Sequence, residues 1–536
     1  MTQADDATRT TPTGWRIRWN AALADQAYAD GWWRPETCAD ALNRAAAETP
    51  DRILVVDDVA SLSAAELHDQ ASRLARAMLV RFQPGSVVSF MLPNWREAAV
   101  IYMAATLAGM VAHPILPSLR DHDLRFMLAD IKSRMIFVPG TFRNHDYAAM
   151  LARVTEVLET PPEVVVVRGE AGGHTAFADL LAETTTADVP PLNADDVRMV
   201  MYTSGTTGRP KGVMHTHNSL NALIRQIGRH WLVEPGDRFL VPSPISHIGG
   251  SIYAFETPLM LGATAILMEA WEPDAAVAIM VREGCTHMAG ATPFLQHLLA
   301  SARKAGTRLP DLKLFICGGA SVPPALIREA AGYFEKAVVS RVYGSTEVPV
   351  TTVGVIDRGD LDHAADTDGR PGIAGVRIAD DGEIRARGPQ MLVGYVHAED
   401  EASAFDEDGY YRTGDQGRLV DGDHVVVTGR IKDLIIRNGE NISPKEIEDL
   451  LIGHPGVAEI AIVGVPDART GERAVAVIVP RDGASPDVPS LAEFLAGFGV
   501  ARFKYPEAVA LWEALPKNDA GKVLKQGIRA TLTAGG

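Results

Sequence analysis

One short segment, residues 202–212, collects the residue types that bind polyphosphate groups. It reads Tyr-Thr-Ser-Gly-Thr-Thr-Gly-Arg-Pro-Lys-Gly and follows the apolar run 197–201. Glycines let backbone N–H groups approach phosphate oxygens, Ser and Thr hydroxyls donate further hydrogen bonds, and Lys211 supplies positive charge. The spacing differs from the Walker pattern, which has a Gly-Lys-Ser/Thr end. The sequence therefore predicts a phosphate loop after a strand; a plain surface turn is the alternative.

A second segment, residues 343–347, combines an aromatic ring, hydroxyls and a carboxylate. It reads Tyr-Gly-Ser-Thr-Glu and follows a predicted strand at 338–342. Open α/β sheets bind ligands at the carboxyl ends of their parallel strands. The ring suits a base, a hydroxyl suits a phosphate oxygen and the carboxylate suits Mg²⁺, so the segment fits a nucleotide site. A strand-end turn with a solvated Glu347 is the alternative.

Three further segments place charged side chains at turns. Asp415 ends the segment 411–415 and could bind both ribose hydroxyls, although Asp in such turns is mostly structural. The stretch 429–441 joins a large unit to a smaller one, and its charges are equally typical of a solvated linker. Lys522 follows a glycine near the end of the chain. From such a turn a lysine can reach the cleft of another domain; a solvated lysine is the alternative.

Short apolar, β-branched runs alternate with longer amphipathic segments through the first two thirds of the chain. This alternation predicts an α/β fold with largely parallel sheets covered by helices on both faces. The predicted strands are 53–56, 87–92, 135–138, 163–167, 239–242, 265–268, 314–317 and 338–342. The predicted helices are 64–82, 96–107, 274–283 and 324–334, and 184–196 is predicted to be a loop.

The pattern changes near residues 380–430, where turn signals at 380–382, 408–409 and 421–423 predict a β-rich, hairpin-containing subdomain. After Lys432 a small α+β unit of about a hundred residues follows, which is a normal domain size. Its predicted elements are helix 444–452, strands 457–463 and 474–479, helix 491–498 and strand 508–512.

Composition limits the classes of protein that fit. With 536 residues the chain is too long for one ordinary core, so at least two domains are expected. Hydrophobic residues make up 46% and charged residues 22%, as in soluble globular proteins. The formal net charge of −17 argues against nucleic acid or an anionic membrane as the main partner.

The cysteines and apolar stretches point to a cytoplasmic protein. Cys38, Cys285 and Cys317 lie far apart without paired spacing, which suggests neither a disulfide framework nor a zinc site. The N-terminal residues are polar and contain no apolar signal region. The longest apolar stretch, 98–112, is short for a membrane span and is interpreted as a buried helix, so no integral membrane segment is expected.

The five segments, in this order and separation, resemble those of the adenylate-forming superfamily. This superfamily includes acyl-CoA synthetases, peptide-synthetase adenylation domains and firefly-type luciferases. The resemblance covers nearly the whole chain, from the region 32–51 to Lys525. Lesser signatures agree with it: Leu92-Pro93-Asn94, Ala386-Arg387-Gly388-Pro389 with Gly394-Tyr395, Ala404-Phe405-Asp406 with Asp408-Gly409, and Gly464-Val465-Pro466-Asp467.

The resemblance implies a fold and a two-step reaction. A large N-terminal domain over 1–431 would combine parallel-rich sheets with a β-rich subdomain, and a small mobile α+β domain over 432–536 would rotate about a hinge at Lys432. Members join a carboxylic acid to AMP, release pyrophosphate and usually pass the acyl group to a thiol. ATP, Mg²⁺ and coenzyme A are the implied cofactors and co-substrates, and a homodimer is one assembly left open.

The resemblance also assigns roles to individual residues. Lys522 would bridge the attacking carboxylate and the α-phosphoryl oxygens, Thr346 would contact the α-phosphate, Glu347 would hold Mg²⁺ and Gly439 would meet the thiol of CoA. His247 would lie beside the carboxylate or the thiol tunnel, with a packed structural histidine as the alternative. The implied ATP- and AMP-binding residues are Thr203, Ser204, Gly205, Thr206, Thr207, Gly208, Lys211, Gly318, Gly319, Ala320, Tyr343, Gly344, Ser345, Asp415 and Arg430.

The implied acyl pocket is apolar and contains several small residues. The pocket residues are His247, Ile248, Gly250, Gly290, Gly344 and Val348. No Asp stands where amino-acid-activating relatives bind the α-ammonium, so an amino acid is disfavoured. A roomy pocket without a charge partner favours an alicyclic, arylalkanoic or medium-length fatty acid.

Three rival functions share parts of this pattern. A stand-alone adenylation enzyme that loads a carrier protein would have every motif; the chain ends soon after Lys522, so no fused carrier domain is expected. A luciferase-type oxygenase gains no support from the Ala- and Arg-rich composition. A non-catalytic acyl-nucleotide-binding protein is expected to lose Lys522 or Glu347, and both are present.

Overall fold

Two large, mostly parallel sheets form the body of the protein. The structure is a computed structural model that describes residues 7–203, 209–319, 322–438, 440–467, 469–518 and 521–534. The eight-stranded sheet is parallel through six strands and ends in two antiparallel ones. Its spatial order is Thr175–Ala176, Glu163–Val167, Met135–Pro139, Val87–Phe90, Val111–Pro114, Val197–Thr203, Lys211–Thr216 and Gly394–Tyr395.

The seven-stranded sheet is parallel except for one edge strand, Ser61–Ser63. The interiors of its strands are buried because helices cover both faces, which is why they consist of continuous apolar runs. Its spatial order is Val338–Arg341, Leu314–Cys317, His287–Gly290, Arg238–Val241, Thr264–Leu267, Ile53–Val56 and Ser61–Ser63.

One hydrophobic core joins the two large sheets through the helices between them. Helix Arg96–Leu107 lies in this core, and its residues from Ala98 onward are buried. Helix Ala64–Leu79 packs against it and begins with a capping box formed by Ser63 and Glu66. The other helices of the large unit are Ala21–Ala29, Cys38–Glu48, Asp121–Asp130, Tyr147–Thr155, Phe177–Ala182, His217–His230, Ile248–Ala254, Glu256–Leu261, Pro273–Glu283, Thr292–Lys304, Pro324–Tyr333 and Leu361–Asp366.

A four-stranded antiparallel sheet follows these two sheets in the chain. Its hairpins turn at two of the predicted sites, 380–382 and 421–423, where Gly382 and Gly422 have positive φ. Its strands are Gly375–Ile378, Glu383–Arg387, Tyr411–Val420 and His424–Arg430. Small additional elements are the strand pairs Ala7–Thr10 with Arg16–Trp19 and Thr141–Phe142 with His145–Asp146, and the 3₁₀ turns Ala398–Asp400, Ile431–Asp433 and Arg502–Lys504.

The C-terminal unit, residues 435–534, is a five-stranded sheet with helices. Its longest hairpin alternates side chains between two cores, because neighbouring residues of a strand point to opposite faces. Ile462 packs in one core, and Ala461 and Val463 pack in the other. The strands are Ile435–Arg437, Glu440–Ile442, Val457–Asp467, Gly471–Pro480 and Ala508–Leu511, and the helices are Pro444–Leu451, Val488–Ala496 and Lys525–Ala534.

The predicted α/β class, with its β-rich piece and small α+β unit, is confirmed. One detail was wrong: the apolar stretch 98–112 is not a single helix, because the helix ends at Leu107 and strand Val111–Pro114 begins after a turn. Cys317 is buried, and burial raises the pKa of its thiol to about 12. Within the part of the chain that the structure describes, no helix is long and apolar enough to cross a bilayer.

Candidate active site

A cavity of about 1070 Å³ lies where the large sheets, the four-stranded sheet and the C-terminal unit meet. Four neighbouring parallel strands of the seven-stranded sheet end at it, and the residues at or after those ends line it. Such strand ends are the usual ligand-binding edge of an open α/β sheet. The lining residues at these ends are Ser243, Gly290, Gly318 and Tyr343.

Tyr343, Asp415 and Arg430 form one hydrogen-bonded unit in the cavity wall. The Tyr343 hydroxyl donates to Oδ2 of Asp415 at 2.7 Å, and Nε of Arg430 donates to Oδ1 at 2.9 Å. The backbone N–H of Tyr343 donates to Oγ1 of Thr352 at 2.7 Å, which holds the ring in place. Burial raises the pKa of Tyr343, so its hydroxyl stays protonated. An aromatic ring and a carboxylate are thus fixed side by side, as a nucleoside site requires.

Glu347 is buried at the edge of the same cavity. Its Oε1 accepts a hydrogen bond from the Tyr395 hydroxyl at 3.2 Å, and that hydroxyl lies 3.3 Å from the hydroxyl of Tyr411. Burial and the nearby Glu347 raise the pKa of Tyr395. A carboxylate held by neutral hydroxyls is a suitable oxygen ligand for Mg²⁺, so the residues present fit the ion that the family implies.

The phosphate loop connects two antiparallel strands. Thr203 ends strand Val197–Thr203 and lies opposite Lys211, the first residue of strand Lys211–Thr216. Nζ of Lys211 lies 3.5 Å from Oδ1 of Asp400, and Arg209 donates to Oδ2 of Asp400 at 2.9 Å. Ser204, Gly205, Thr206, Thr207 and Gly208 lie outside the described residues. The pair that flanks the loop, Thr203 and Lys211, lines the cavity.

Residues 344–346 form a tight turn beside the cavity. Gly344 has no room for a side chain, because a Cβ there would lie 2.7 Å from the backbone N of Val350. The hydroxyl of Ser345 accepts from the backbone N–H of Val348 at 3.2 Å, which closes the turn. His215 donates from Nε2 to the carbonyl of Thr346 at 2.7 Å. Burial lowers the pKa of His215 to about 4, so this donor is a neutral imidazole at physiological pH.

Lys522 reaches the cavity from the C-terminal unit. Its loop is closed by a bridge between Lys517 and Val523 and by a bond from the Lys522 N–H to Oδ1 of Asn518 at 2.8 Å. A Cβ on Gly521 would lie 3.4 Å from Cγ of Pro293, so the loop packs on the large unit. Burial, and then the charge of Arg430, lower the pKa of the Lys522 ammonium group. Lys522 therefore lines the same cavity as the residues that are predicted to bind the nucleotide.

The other end of the cavity is apolar and shaped by glycines. His247, Ile248, Gly249, Gly250 and Gly290 line it. A Cβ on Gly250 would lie 2.0 Å from the carbonyl O of Pro244, whereas a Cβ on Gly249 would meet nothing within 4 Å. Gly249 therefore faces the open cavity, and Gly250 faces the wall behind it.

The structure brings most of the predicted site residues to one cavity. Gly318, Gly319, Gly344, Ser345 and Thr346 line it with the residues above, and so does Lys432, which lies in the 3₁₀ turn Ile431–Asp433. Among the described residues, Val348 is not one that lines the cavity; it packs in a separate core with Val213 and Tyr395. Ala320 and Gly439 lie outside the described residues.

The motifs do not identify three residues that contact the site. Tyr395 belongs to a signature that gives no contact for it, and no motif contains Asp400 or His215. Each acts through a contact to a residue more than 45 positions away in the chain. The sequence signal for Tyr395 is the pair Gly394-Tyr395, which belongs to one of the lesser signatures.

The fold and the site agree with the family models that match the chain. The AMP-binding enzyme model matches residues 42–396, and the AMP-binding enzyme C-terminal domain model matches residues 446–522. The chain therefore belongs to the AMP-binding enzyme family. This confirms the predicted adenylate-forming superfamily, in its acyl-CoA synthetase branch, and the expectation that the protein is an enzyme.

Individual relatives align along nearly the whole chain. The medium-chain fatty-acid–CoA ligase of Escherichia coli strain K12 is 35% identical over 524 residues, which cover 94% of this chain and 91% of that protein. A methyl-dioxo-octahydroindenyl propanoyl:CoA ligase of Rhodococcus jostii strain RHA1 is 34% identical, covering 92% of this chain and 99% of its own. The ATP-bound structure of MatB from Rhodopseudomonas palustris superposes with a TM-score of 0.82 at 29% identity, over 92% of this chain and 99% of that one.

Proposed function

We propose that this protein uses ATP to activate a hydrophobic carboxylic acid as an acyl-AMP and then transfers the acyl group to CoA. The observation that carries the proposal is the position of Lys522, which enters the cavity that Tyr343, Glu347 and Asp415 line. A charged lysine from a second unit beside a nucleotide-type wall is what adenylate formation needs. The medium-chain and indenyl-propanoyl CoA ligases among its relatives support the same reaction.

Adenylation requires a carboxylate to approach a triphosphate against charge repulsion. The acid's oxygen forms a bond to the α-phosphorus, the bond from the α-phosphorus to the bridging oxygen breaks, and pyrophosphate leaves with that electron pair. No general base is needed, because a carboxylic acid is already ionised at neutral pH. Lys522 would offset the negative charge on the attacking carboxylate and the α-phosphoryl oxygens, and positioning supplies much of the rest.

The remaining nucleotide-site residues would hold the parts of ATP. Asp415, already fixed by Tyr343 and Arg430, would bind the ribose, with Gly318, Gly319 and Ala320 near the adenine. Thr346 would contact the α-phosphate. The loop from Thr203 through Ser204, Gly205, Thr206, Thr207 and Gly208 to Lys211 would bind the β- and γ-phosphates. Mg²⁺ held by Glu347 would supply positive charge to the triphosphate.

Transfer to the thiol would use a second arrangement of the two domains. We place the boundary of a 1–431 domain and a 432–536 domain at Lys432, whose turn links the four-stranded sheet to the C-terminal sheet. Rotation there would withdraw Lys522 and bring the Gly439 loop to the pantetheine. Asn438, next to this loop, has the left-handed backbone conformation, with a φ of +52°. Its N–H donates to the Thr470 carbonyl at 2.9 Å.

The acid is inferred to be alicyclic, arylalkanoic or a medium-length fatty acid. Ile248, Gly249, Gly250, Ile252 and Phe294 line the acyl end, and this set contains no charged side chain. A wall of this composition favours an apolar acyl group. With its three buried, separate cysteines, the protein is proposed to act in the cytoplasm.

ATP–pyrophosphate exchange with a panel of aromatic, alicyclic and fatty acids tests the proposal, followed by AMP release with and without CoA. Exchange that becomes steady AMP release only with CoA is expected and identifies the acid class. Exchange without CoA-dependent turnover would instead indicate a carrier-protein acceptor. No exchange with any acid would contradict the catalytic assignment.

Two variants separate the half-reactions. Lys522→Ala is expected to lower adenylate formation by about a hundredfold or more while sparing thioester formation from supplied acyl-AMP, because it removes one transition-state charge contact. Lys517→Ala, on the same loop but paired with Glu459, is the matched control. Lys432→Pro is expected to leave adenylation intact and block transfer. Equal loss of both half-reactions in Lys522→Ala, or full turnover in Lys432→Pro, would contradict the assigned roles.

A further inference from the structure

A compact group of histidine and carboxylate side chains lies apart from the cavity. Asp360, His363 and His424 each offer a ligand atom, and these atoms lie within 4.8 Å of one another. None of the three lines the cavity described above. Asp360 is the N-cap of helix Leu361–Asp366, and His363 lies in that helix. His424 is the first residue of strand His424–Arg430. Two elements that are far apart in the chain thus contribute to one cluster.

His424 is the member that a simple ion-pair cluster does not explain. Its residue is 3% exposed, and neither ring nitrogen makes a hydrogen bond. The carboxylate of Asp423 lies 3.6 Å from Nδ1, too far for one. Its ring stacks on that of His363, with centroids 4.0 Å apart and planes 6° apart. Buried polar atoms almost always have partners, so a buried imidazole without one indicates a ligand at this position.

We propose that Asp360, His363 and His424 bind a divalent transition-metal ion of the zinc type. Two imidazoles and a carboxylate form a three-residue ligand set that zinc accepts, and water would complete the coordination. Oδ2 of Asp421 lies 2.9 Å from Nε2 of His363. Zinc–ligand bonds of about 2.0–2.2 Å require the donor atoms to close by roughly an ångström, which side-chain rotations supply.

Without a metal ion, hydrogen bonds from His363 hold the cluster together. His363 donates from Nδ1 to Oδ1 of Asp360 at 2.7 Å and from Nε2 to Asp421, so it is an imidazolium in this arrangement. A metal ion would replace at least one of these protons and engage His424 as well. The acidic neighbours, Asp421 and Asp423, favour a cation, and the neighbouring cation Arg370 is paired with Asp423.

This site would clamp the elements that lead to the predicted hinge. Helix Leu361–Asp366 is followed by Asp368, whose N–H donates to the Val425 carbonyl at 2.7 Å. Strand His424–Arg430 continues into the turn that contains Lys432. A bound ion would therefore stiffen the base on which the C-terminal unit turns, and it would be separate from any Mg²⁺ that accompanies ATP.

Metal binding to the full chain, with any purification tag removed, tests the proposal. Zn²⁺ and Co²⁺ are titrated against the apoprotein by calorimetry and by the visible absorption of Co²⁺, with thermal denaturation as a second readout. One equivalent is expected to bind and to raise the melting temperature. His363→Gln and Asp360→Asn are each expected to weaken binding at least tenfold and to abolish the thermal shift. His122→Gln, an exposed histidine on helix Asp121–Asp130, is the matched control and is expected to bind normally.

The outcomes separate a metal site from an ion-pair cluster. If His363→Gln and Asp360→Asn lower the melting temperature of the apoprotein but wild type binds no equivalent of metal, the cluster is an ion-pair clamp and the proposal fails. Equal binding by wild type and both variants would place the ion elsewhere and also overturn it. His424→Gln is used only if it folds, because His424 is buried. The variants at the half-buried residues His363 and Asp360 decide the question without it.

Discussion

The two ends of the active-site cavity are built by different physical means. At the proposed nucleotide end, hydrogen bonds between side chains fix Tyr343, Asp415, Arg430 and Glu347. At the proposed acyl end, Gly249 leaves open space, whereas Gly250 and Gly290 allow close packing against Pro244 and Phe294. Hydrogen bonds fix the positions of charges, whereas close packing fixes a volume. In the proposed function, the nucleotide end would therefore suit one invariant ligand, and the acyl end would suit an acid whose size the space at Gly249 limits.

The largest effect is expected at Gly250. Gly250→Ala would put a Cβ 2.0 Å from the Pro244 carbonyl oxygen, and the opposing atom is backbone that cannot move aside easily. We expect a loss of about 3 kcal/mol or more in the free energy of unfolding, measured by urea denaturation, with loss of activity. Gly249→Ala, next in sequence but facing open space, is the matched control and is expected to be nearly as stable as wild type. Equal stability of the two variants would break the assignment of wall and cavity faces.

A larger side chain at Gly249 sharpens the comparison by changing only one end. Gly249→Leu would fill part of the acyl end, so kcat/KM for the longest accepted acid should fall about tenfold or more, while shorter acids are affected less. The KM for ATP should stay unchanged. Rates are compared across a homologous series of acids. A uniform loss for all acids would indicate that Gly249 does not face the acyl group.

Asp415→Asn tests the nucleotide end in the same way. The change removes the charge that accepts from Tyr343 and Arg430, so the KM for ATP should rise about tenfold to a hundredfold, with the order of preference among acids unchanged. Steady-state kinetics with varied ATP measure this. Asp482→Asn, an exposed Asp in the C-terminal unit, is the control. A changed acid preference in Asp415→Asn would show that the two ends are not independent.

The smallest expected effect is a pH dependence that belongs to Lys522. Its pKa lies below the ordinary value of 10.5, because burial and Arg430 disfavour the cation. The ammonium therefore loses its proton at a lower pH than a solvated lysine, and adenylation should decline as pH rises through that lowered pKa. Lys522→Arg should move the alkaline decline to higher pH, since arginine keeps its proton. If the activity of wild type and of Lys522→Arg declines at the same alkaline pH, the decline belongs to a group other than Lys522.

The sequence predicted the parallel strands well and the contacts between them poorly. Strands 53–56, 163–167 and 314–317 were predicted with the observed bounds because they are buried, β-branched runs between turns. Helices His217–His230 and Thr292–Lys304 were missed, although the Thr216 capping box and Pro293 are start signals. The β-strand Lys211–Thr216 was also missed, since the preceding glycines suggested only a loop.

The candidate site could be predicted as a set of residues but not as a set of contacts. The motifs supplied Tyr343, Asp415 and Lys522 with their order along the chain. The bond from Tyr395 to Glu347 and the ion pair of Lys211 with Asp400 depend on strand register and on the docking of a distant turn. Val348 was predicted to line the acyl pocket, and this prediction was wrong. Its neighbours line the cavity, whereas Val348 packs into the core beneath.

Tyr395 touches both the proposed metal ligand and the lysine of the phosphate loop. Its strand pairs with strand Lys211–Thr216, its hydroxyl bonds to Glu347, and Nζ of Lys211 lies 5.3 Å from its ring centre. In the proposed reaction, a displacement of Lys211 as pyrophosphate departs would reach Glu347 through the ring of Tyr395. We expect Lys211 and Glu347 to respond together when pyrophosphate leaves in the proposed reaction, while the acyl-AMP stays bound.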